Sequence, residues 1–296
     1  MHLISNIKSI LRNCQYKFNE LPFHEDDIIR LDWYAEGKNF GDVLNPILIG
    51  ALTGKKILNI NSKYCNNEHL MAIGSILDRS TDKTVVWGAG FISDESRLLG
   101  GPKKIAAVRG PKTKKRLLEL GVECPSVFGD PALLLPYIFN EKIQKEYKIG
   151  IIPHYVDKES NWIKALEARA DEGILVIDII RDDPIDVVRD ILRCEKIVSS
   201  SLHGLIVSDA FEIPSLWVEL SGNLSGGHFK FHDYFLSVNR CVDKPLVINE
   251  ETKVEDFWPL FETWQPIDID LTALIRAFPF ELNHDAVTTS FGNDRA

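Results

Sequence analysis

Short apolar runs separated by polar turns recur along most of this chain, and between them lie stretches whose apolar residues return at helical spacing. The runs at 32–34, 56–60, 69–76, 84–87, 104–108 and 125–128 predict strands in the first part of the chain. A second series follows at 148–152, 174–179, 196–200 and 215–220. These runs have the length and flanking turn residues of strands buried on both faces. Helices are predicted over 43–52, closed by Gly54, and over 111–120, where Pro111 suits the first helical position and Leu117, Leu118 and Leu120 form the stripe. Further helices are expected at 161–170, 185–194 and 271–278 and after residue 201, where Leu205, Ile206, Ala210 and Phe211 recur until Pro214 stops the run.

Strand and helix alternate in both series, so parallel sheets covered by helices are the economical arrangement. The polar stretch 141–147 has no apolar stripe and reads as a linker. The expected fold is therefore α/β, with two Rossmann-like, doubly wound domains facing one cleft. They would span residues 1–140 and 148–240, with 241–296 packing back on the body and the last residues, from about 286, disordered. The glycine-rich stretch 221–235 is expected to be a loop, closing over a ligand or merely connecting elements.

Composition narrows the function. A 296-residue chain with 26% charged and 45% hydrophobic residues is an ordinary globular protein with room for two cores. A net charge of −9 opposes a nucleic-acid partner, so an anionic ligand would have to be held by a few local cations and backbone N–H groups. Cys14, Cys65, Cys124, Cys194 and Cys241 are scattered without paired spacing, as expected of reduced thiols, and no cluster has metal-ligand spacing. No run reaches membrane-spanning length and no signal-peptide core is evident. Leu3, Ile4, Ile7, Ile10 and Leu11 would share one helical face beside Lys8 and Arg12, suited to docking on the body or to a weak membrane-surface contact.

Candidate chemistry gathers where strands pass into helices. Segment 196–220 reads strand, tight polar loop, helix, strand, with His203 and Gly204 in the first helical turn. Free N–H groups and the positive end of a helix dipole suit a phosphate or carboxylate there. Gly204 would admit a ligand close to the backbone, and His203 would add a titratable donor; the ordinary alternative is a histidine that caps its helix. Arg109 occupies the same kind of corner, between the strand 104–108 and Pro111. In Asn39-Phe40-Gly41-Asp42, Asp42 is a natural N-cap, while Asn39 and Gly41 lie where a ligand could touch. Gly88-Ala89-Gly90-Phe91 is half of a glycine-rich dinucleotide loop and reads as a wide turn near a cleft or as tight packing. Asp130 suits a cap, His154 ends the first strand of the second series, and Glu219 ends the strand after the His203 helix. Ligands of α/β sheets bind at such strand ends.

Taken in order, NFGD, WGAGF, AVRG, FGDPALLLP, IIPH and SSSLHG resemble the polysaccharide pyruvyl transferases over roughly residues 39–237. Gly110 departs from the pattern, which usually has an acidic residue after the arginine. The resemblance implies two Rossmann-like domains arranged as in the GT-B glycosyltransferases. It also implies phosphoenolpyruvate as donor, a ketal joining pyruvate to two hydroxyls of a sugar, and release of phosphate. Arg109 and His203 are the positions it assigns to the donor; the strand-end corners themselves offer Ser201, Gly204, Asn39, Gly41, Gly90, Asp130 and Glu219 as further substrate contacts. Acid–base work would fall to His203, with a base among Asp42, Asp130, His154 and Glu219, of which Asp42 and His154 are preferred. The resemblance further implies a glycan or lipid-linked acceptor assembled at the cytosolic face of a membrane, in contact with that surface or with assembly enzymes. No metal and no cofactor beyond the donor substrate is expected.

Two rivals remain at this level. A GT-B glycosyltransferase with a nucleotide-sugar donor would share the His203 corner and could use Glu219 on the ribose. An inactive relative that binds glycans or scaffolds an assembly complex would have no need of both Arg109 and His203.

Overall fold

The computed structural model describes residues 27–37, 39–223 and 226–283. The N-terminal apolar face, Cys14 and the tail expected to be disordered lie outside the described residues. Two five-stranded sheets are present, every pairing between neighbouring strands being parallel. The first holds β1 (Ile28–Asp32), β2 (Lys56–Ile60), β3 (His69–Met71), β4 (Thr84–Trp87) and β5 (Lys104–Ala107) in the order β2-β1-β3-β4-β5. The second holds β6 (Ile149–Ile152), β7 (Ile174–Val176), β8 (Ile197–Ser199), β9 (Ser215–Glu219) and β10 (Leu246–Val247) in the order β10-β9-β8-β6-β7. Counted from its own first strand, each sheet has the order 2-1-3-4-5 of the doubly wound folds, which confirms the expected α/β class. β10 comes from beyond residue 240, so the segment read as an extension completes the second sheet.

The helices are α1 (Phe40–Thr53), α2 (Pro111–Glu119), α3 (Leu135–Ile138), α4 (Asn161–Glu167), α5 (Pro184–Leu192), α6 (Leu202–Ala210), α7 (Phe229–Ser237), α8 (Trp258–Phe261) and α9 (Leu271–Arg276). Several edges differ from the sequence reading. The first strand runs over Ile28–Asp32 and ends before Trp33, which is buried in the same core as Ile29 and Leu31. Residues 125–128 contribute a single bridge, from Val108 to Phe128, because the chain leaves the sheet at once to enter Gly129-Asp130-Pro131. On α2, Thr113 and Leu117 face inward while Leu118 is exposed. The largest difference is α7, which stands where a loop was expected.

Successive strand residues face opposite sides of each sheet, and this sorts the core into layers. Val85, Trp87 and Ala107 of the first sheet and Ile152, Ile197 and Trp217 of the second belong to one cluster with α1, α5, α6 and α7. Met71 and Val86 turn the other way, to a cluster with Phe91, Val108 and Leu117, and Ile149, Ile151, Val198 and Val218 pack with Trp162 and Phe257. The two halves thus share their middle layer. The chain end reinforces it: the Trp87 indole donates to the Leu274 carbonyl at 2.8 Å, and the Asn283 amide donates to that of Leu52 at 2.7 Å.

Candidate active site

In a 2-1-3-4-5 sheet the connections leave in opposite directions on either side of the first strand, opening a crevice beyond the carboxyl ends of the first and third strands. In the first half those ends lead to Asn39–Asp42, after β1, and to Gly74 and Ser75, after β3. In the second half they lead to His154, after β6, and to 200–203, after β8. The two crevices meet. An antiparallel bridge joins Asn39 to Ile180, and the His203 ring rests on Gly41, where an added Cβ would lie 1.9 Å from Nδ1.

α1 begins at Phe40 with Asn39 as its N-cap, and no side chain caps it. Asp42 is therefore not the cap it was expected to be. It sits in the first turn, buried, with a Cβ added at Gly74 falling 3.0 Å from its Oδ1. Burial pushes its carboxyl up to about 6, while His203, Arg79 and Lys230 pull down and Asp130 pushes up. At that value the group both holds and releases a proton near neutral pH.

Asp130 keeps its ordinary duty and has capacity to spare. Oδ1 caps the 3-10 turn Pro131–Leu134 by accepting from the Ala132 amide at 3.0 Å. Oδ2 is buried, has no hydrogen-bond partner, and lies 3.5 Å from Nε2 of His203, which is also buried and unbonded. The separation counts as an ion contact but lacks hydrogen-bond geometry. Buried polar atoms normally find partners, so two facing one another without a bond mark a place for a ligand.

The backbone around His203 explains its position. Ser201 is the N-cap of α6; its amide donates to Ser199 Oγ at 3.0 Å, and that hydroxyl donates to the Ser201 carbonyl at 2.9 Å. A Cβ on Gly204 would meet Ser199 Oγ at 2.4 Å. Gly204 therefore makes room for the protein's own hydroxyl, not for a ligand as the sequence suggested. The first-turn N–H groups of α6 have no carbonyl within the helix to bond, and they lie beside His203.

His154 is buried, with its amide donating to Ser200 Oγ at 2.7 Å and its ring 4.3 Å from that of Tyr155. Burial, aided by Lys230, pushes the imidazole down to about 4, so it is neutral at pH 7. Asp157, whose amide donates to the His154 carbonyl at 2.8 Å, is buried, with Oδ1 unbonded and its carboxyl raised chiefly by burial. Glu219 is only partly buried and is hydrogen-bonded to His228 Nε2 at 2.9 Å.

Arg109 ends its strand as expected, yet does not offer a bidentate face to the cleft. The side chain is 1% exposed. Nε donates to Asp233 at 3.0 Å, Nη1 to Ser75 at 2.7 Å and Nη2 to the Phe91 carbonyl at 2.6 Å. Gly90 exists to admit it: a Cβ there would lie 2.6 Å from the guanidinium. The wide turn is thus a packing device.

Sequence reasoning missed Asp233 and met Lys230 only beside His228 and His232 in the stretch 221–235 read as a loop; both lie on α7. Asp233 bonds Arg109 and also accepts from the amide and hydroxyl of Thr113, at 2.8 and 2.7 Å, which caps α2 from another part of the chain. It supplies the carboxylate that Gly110 lacks, and a Cβ at Gly110 would collide with the Asp233 carbonyl at 1.9 Å. The signal was present in the i, i+3, i+4 spacing of Phe231, Tyr234, Phe235 and Val238, hidden by the glycines before it. Among the described residues no three His, Cys, Asp or Glu side chains form a metal-holding group, and no helix is long and apolar enough to cross a membrane. A separate cavity, lined by Leu205, Trp217, Phe235, Arg240, Leu246 and Trp264 among others, contains none of these site residues.

The family model for polysaccharide pyruvyl transferase matches residues 7–222. An uncharacterised protein, L143 of Acanthamoeba polyphaga mimivirus, is 32% identical over 263 residues, 86% of this chain and 89% of that protein. The succinoglycan biosynthesis protein ExoV of Rhizobium meliloti (strain 1021) is 31% identical over 211 residues, 68% of this chain and 62% of that protein. No solved structure matches. With most of its length matched and both crevices inside the match, the chain belongs to the polysaccharide pyruvyl transferase family.

Proposed function

We propose that the protein transfers the pyruvyl group of phosphoenolpyruvate to two hydroxyls of one sugar, forming a ketal and releasing phosphate. The observation that carries this reading is the unbonded pair His203 Nε2 and Asp130 Oδ2, set beside a titratable Asp42 and the N-terminus of α6. That combination offers an anion seat, a proton donor and a proton acceptor within one crevice.

In this scheme the donor phosphate lies against the first-turn amides of α6, and His203 delivers a proton to the methylene carbon. The adjacent carbon gains oxocarbenium character. A sugar hydroxyl adds to it and gives its proton to the Asp42 carboxylate. The bond between that carbon and the bridging oxygen then breaks, and phosphate departs with the electron pair. The second hydroxyl closes the ring; its proton and the one on Asp42 restore His203 and neutralise the departing phosphate. His154, neutral at pH 7, orients a hydroxyl by hydrogen bonding. The relative named for succinoglycan biosynthesis supports an exopolysaccharide repeat, free or lipid-linked, as the acceptor.

The test is incubation with phosphoenolpyruvate and a panel of oligosaccharide repeats. The expected result is inorganic phosphate released in step with acid-labile pyruvate on the sugar. Nucleoside diphosphate released from a nucleotide sugar, with phosphoenolpyruvate inert, would transfer the chain to the glycosyltransferase reading.

A further inference from the structure

The donor carries two anionic groups, yet Arg109 is sealed into the protein. A different cation faces the cleft. At about 100° per residue, Phe229, Asp233, Ser237, Lys230, Tyr234, Phe231 and Phe235 follow one another around about two thirds of α7, leaving His232 and Leu236 on the remainder. Leu236 is 49% exposed, and Phe229, Phe231, Asp233, Tyr234 and Phe235 are buried, so the wheel fixes the inward direction. Lys230 stands in the middle of the inward arc.

Its neighbours on that arc define where it points. On one side Asp233 holds Arg109 and Phe229 packs with Ala89, Phe91 and Val108 of the first half. On the other side the Tyr234 hydroxyl donates to Asp209 at 2.8 Å, and Phe231 stacks on Trp217 of the second half at 4.6 Å. Lys230 therefore projects into the seam between the halves, where Asp42, Arg109 and His154 act on it or are acted on by it. Among the described residues its ammonium has no hydrogen-bond or ion-pair partner. It lies 5.6 Å from the centroid of the Phe231 ring, which supplies no counter-charge; a desolvated cation without a counter-ion is costly, and a second cation nearby makes it more so.

We infer that Lys230 is the residue that binds the anionic group of the donor, with Arg109 serving to hold α7 and the Gly90 turn in place. The inference rests on the proposed reaction for the identity of that anion. Burial and the Arg109 charge hold the ammonium down to about 8, against the pull of Asp42, so it remains mostly charged at pH 7. An arriving phosphate or carboxylate supplies the missing counter-charge.

The experiment measures thermal stability and steady-state kinetics of the full chain for wild type, Lys230→Met and Lys230→Arg, with phosphoenolpyruvate and, separately, inorganic phosphate. In wild type both anions raise the melting temperature by mass action. Lys230→Met loses both shifts and raises KM for phosphoenolpyruvate at least tenfold, while Lys230→Arg retains part of each. Without ligand, Lys230→Met melts at or above wild type, since it relieves a buried charge; a merely structural lysine would give a drop. An active Lys230→Met enzyme with unchanged KM and unchanged shifts overturns the inference and leaves the reaction standing. A wild type that responds to phosphate, loses that response in Lys230→Met, and ignores phosphoenolpyruvate supports Lys230 and faults the donor. A wild type indifferent to both anions overturns the inference. If Lys230→Met does not fold, Lys230→Arg decides: the KM shift expected is several-fold, and none would count against the assignment.

Discussion

The two crevices have the same strand order and opposite chemistry. In the first half the strand ends lead to carboxylates, Asp42 and Asp130, and the arginines there, Arg79 and Arg109, are spent on internal bonds to Asp32 and Asp233. In the second half they lead to imidazoles, His154 and His203, and to the free amides of α6. Neither half alone has both a proton acceptor tuned near neutrality and a seat for an anion. The comparison teaches that the topology supplies places, and that the division of labour between acid and base lies in which half fills them.

The largest expected effect comes from removing one side of that division. Asp42→Asn and His203→Ala should each lower kcat by about 10²- to 10⁴-fold, the usual worth of a positioned acid or base. Equal rates in Asp42→Asn and wild type would break the comparison. The same variant carries a stability signature. A carboxyl raised from 3.8 to about 6 favours the fold while protonated, and that contribution is lost as pH rises from about 4 through 6. Asp42→Asn should therefore gain stability relative to wild type at pH 8 and lose the advantage at pH 4, as read by denaturant melts.

Next comes the joint between the halves. Asp233→Ala strands the Arg109 charge and uncaps α2, and should cost about 3–5 kcal/mol of stability, the range for breaking a buried pair. A cost under about 1 kcal/mol in urea unfolding would show the pair to be ornamental. The smallest effect expected is a shape and not a loss. kcat/KM should rise with pH through about 6, as Asp42 ionises, and fall through about 8, as Lys230 gives up its proton. Lys230→Arg should remove the Lys230 contribution to the alkaline limb, leaving the requirement for the His203 proton, while the acid limb stays unchanged.

Much of this was legible in the chain. The run at 84–87 located β4 to the residue, because a strand buried at every position leaves no ambiguity of pattern; the bounds of β2 also matched, although only Ile57 of that edge strand is buried. The corners at Asp42, Arg109, Asp130, His154 and His203 were legible because strand ends and helix starts are set by local signals. What local signals cannot carry is partnership across the chain. Nothing within the segment 39–42 says that Gly41 is empty for His203, and nothing near Arg109 announces a carboxylate 124 positions away. The glycines at 90 and 204 looked like approaches for a ligand for the same reason; the atoms that fill them, on Arg109 and Ser199, are a matter of packing. Lys230 was noticed only as part of a polar loop, since the helix that aims it was masked by Gly226 and Gly227.

The contact between Gly110 and the Asp233 carbonyl has a consequence for descent. The family pattern places an acid beside the arginine, and here the acid arrives from α7 through space that such a side chain would occupy. The two solutions exclude one another, so a side chain at 110 and the present course of α7 past it cannot coexist. A lineage could pass between them only through an intermediate with a longer approach of α7 or with an arginine briefly unpartnered. An acid placed at 110 by itself would collide with α7 and displace Asp233 from Arg109.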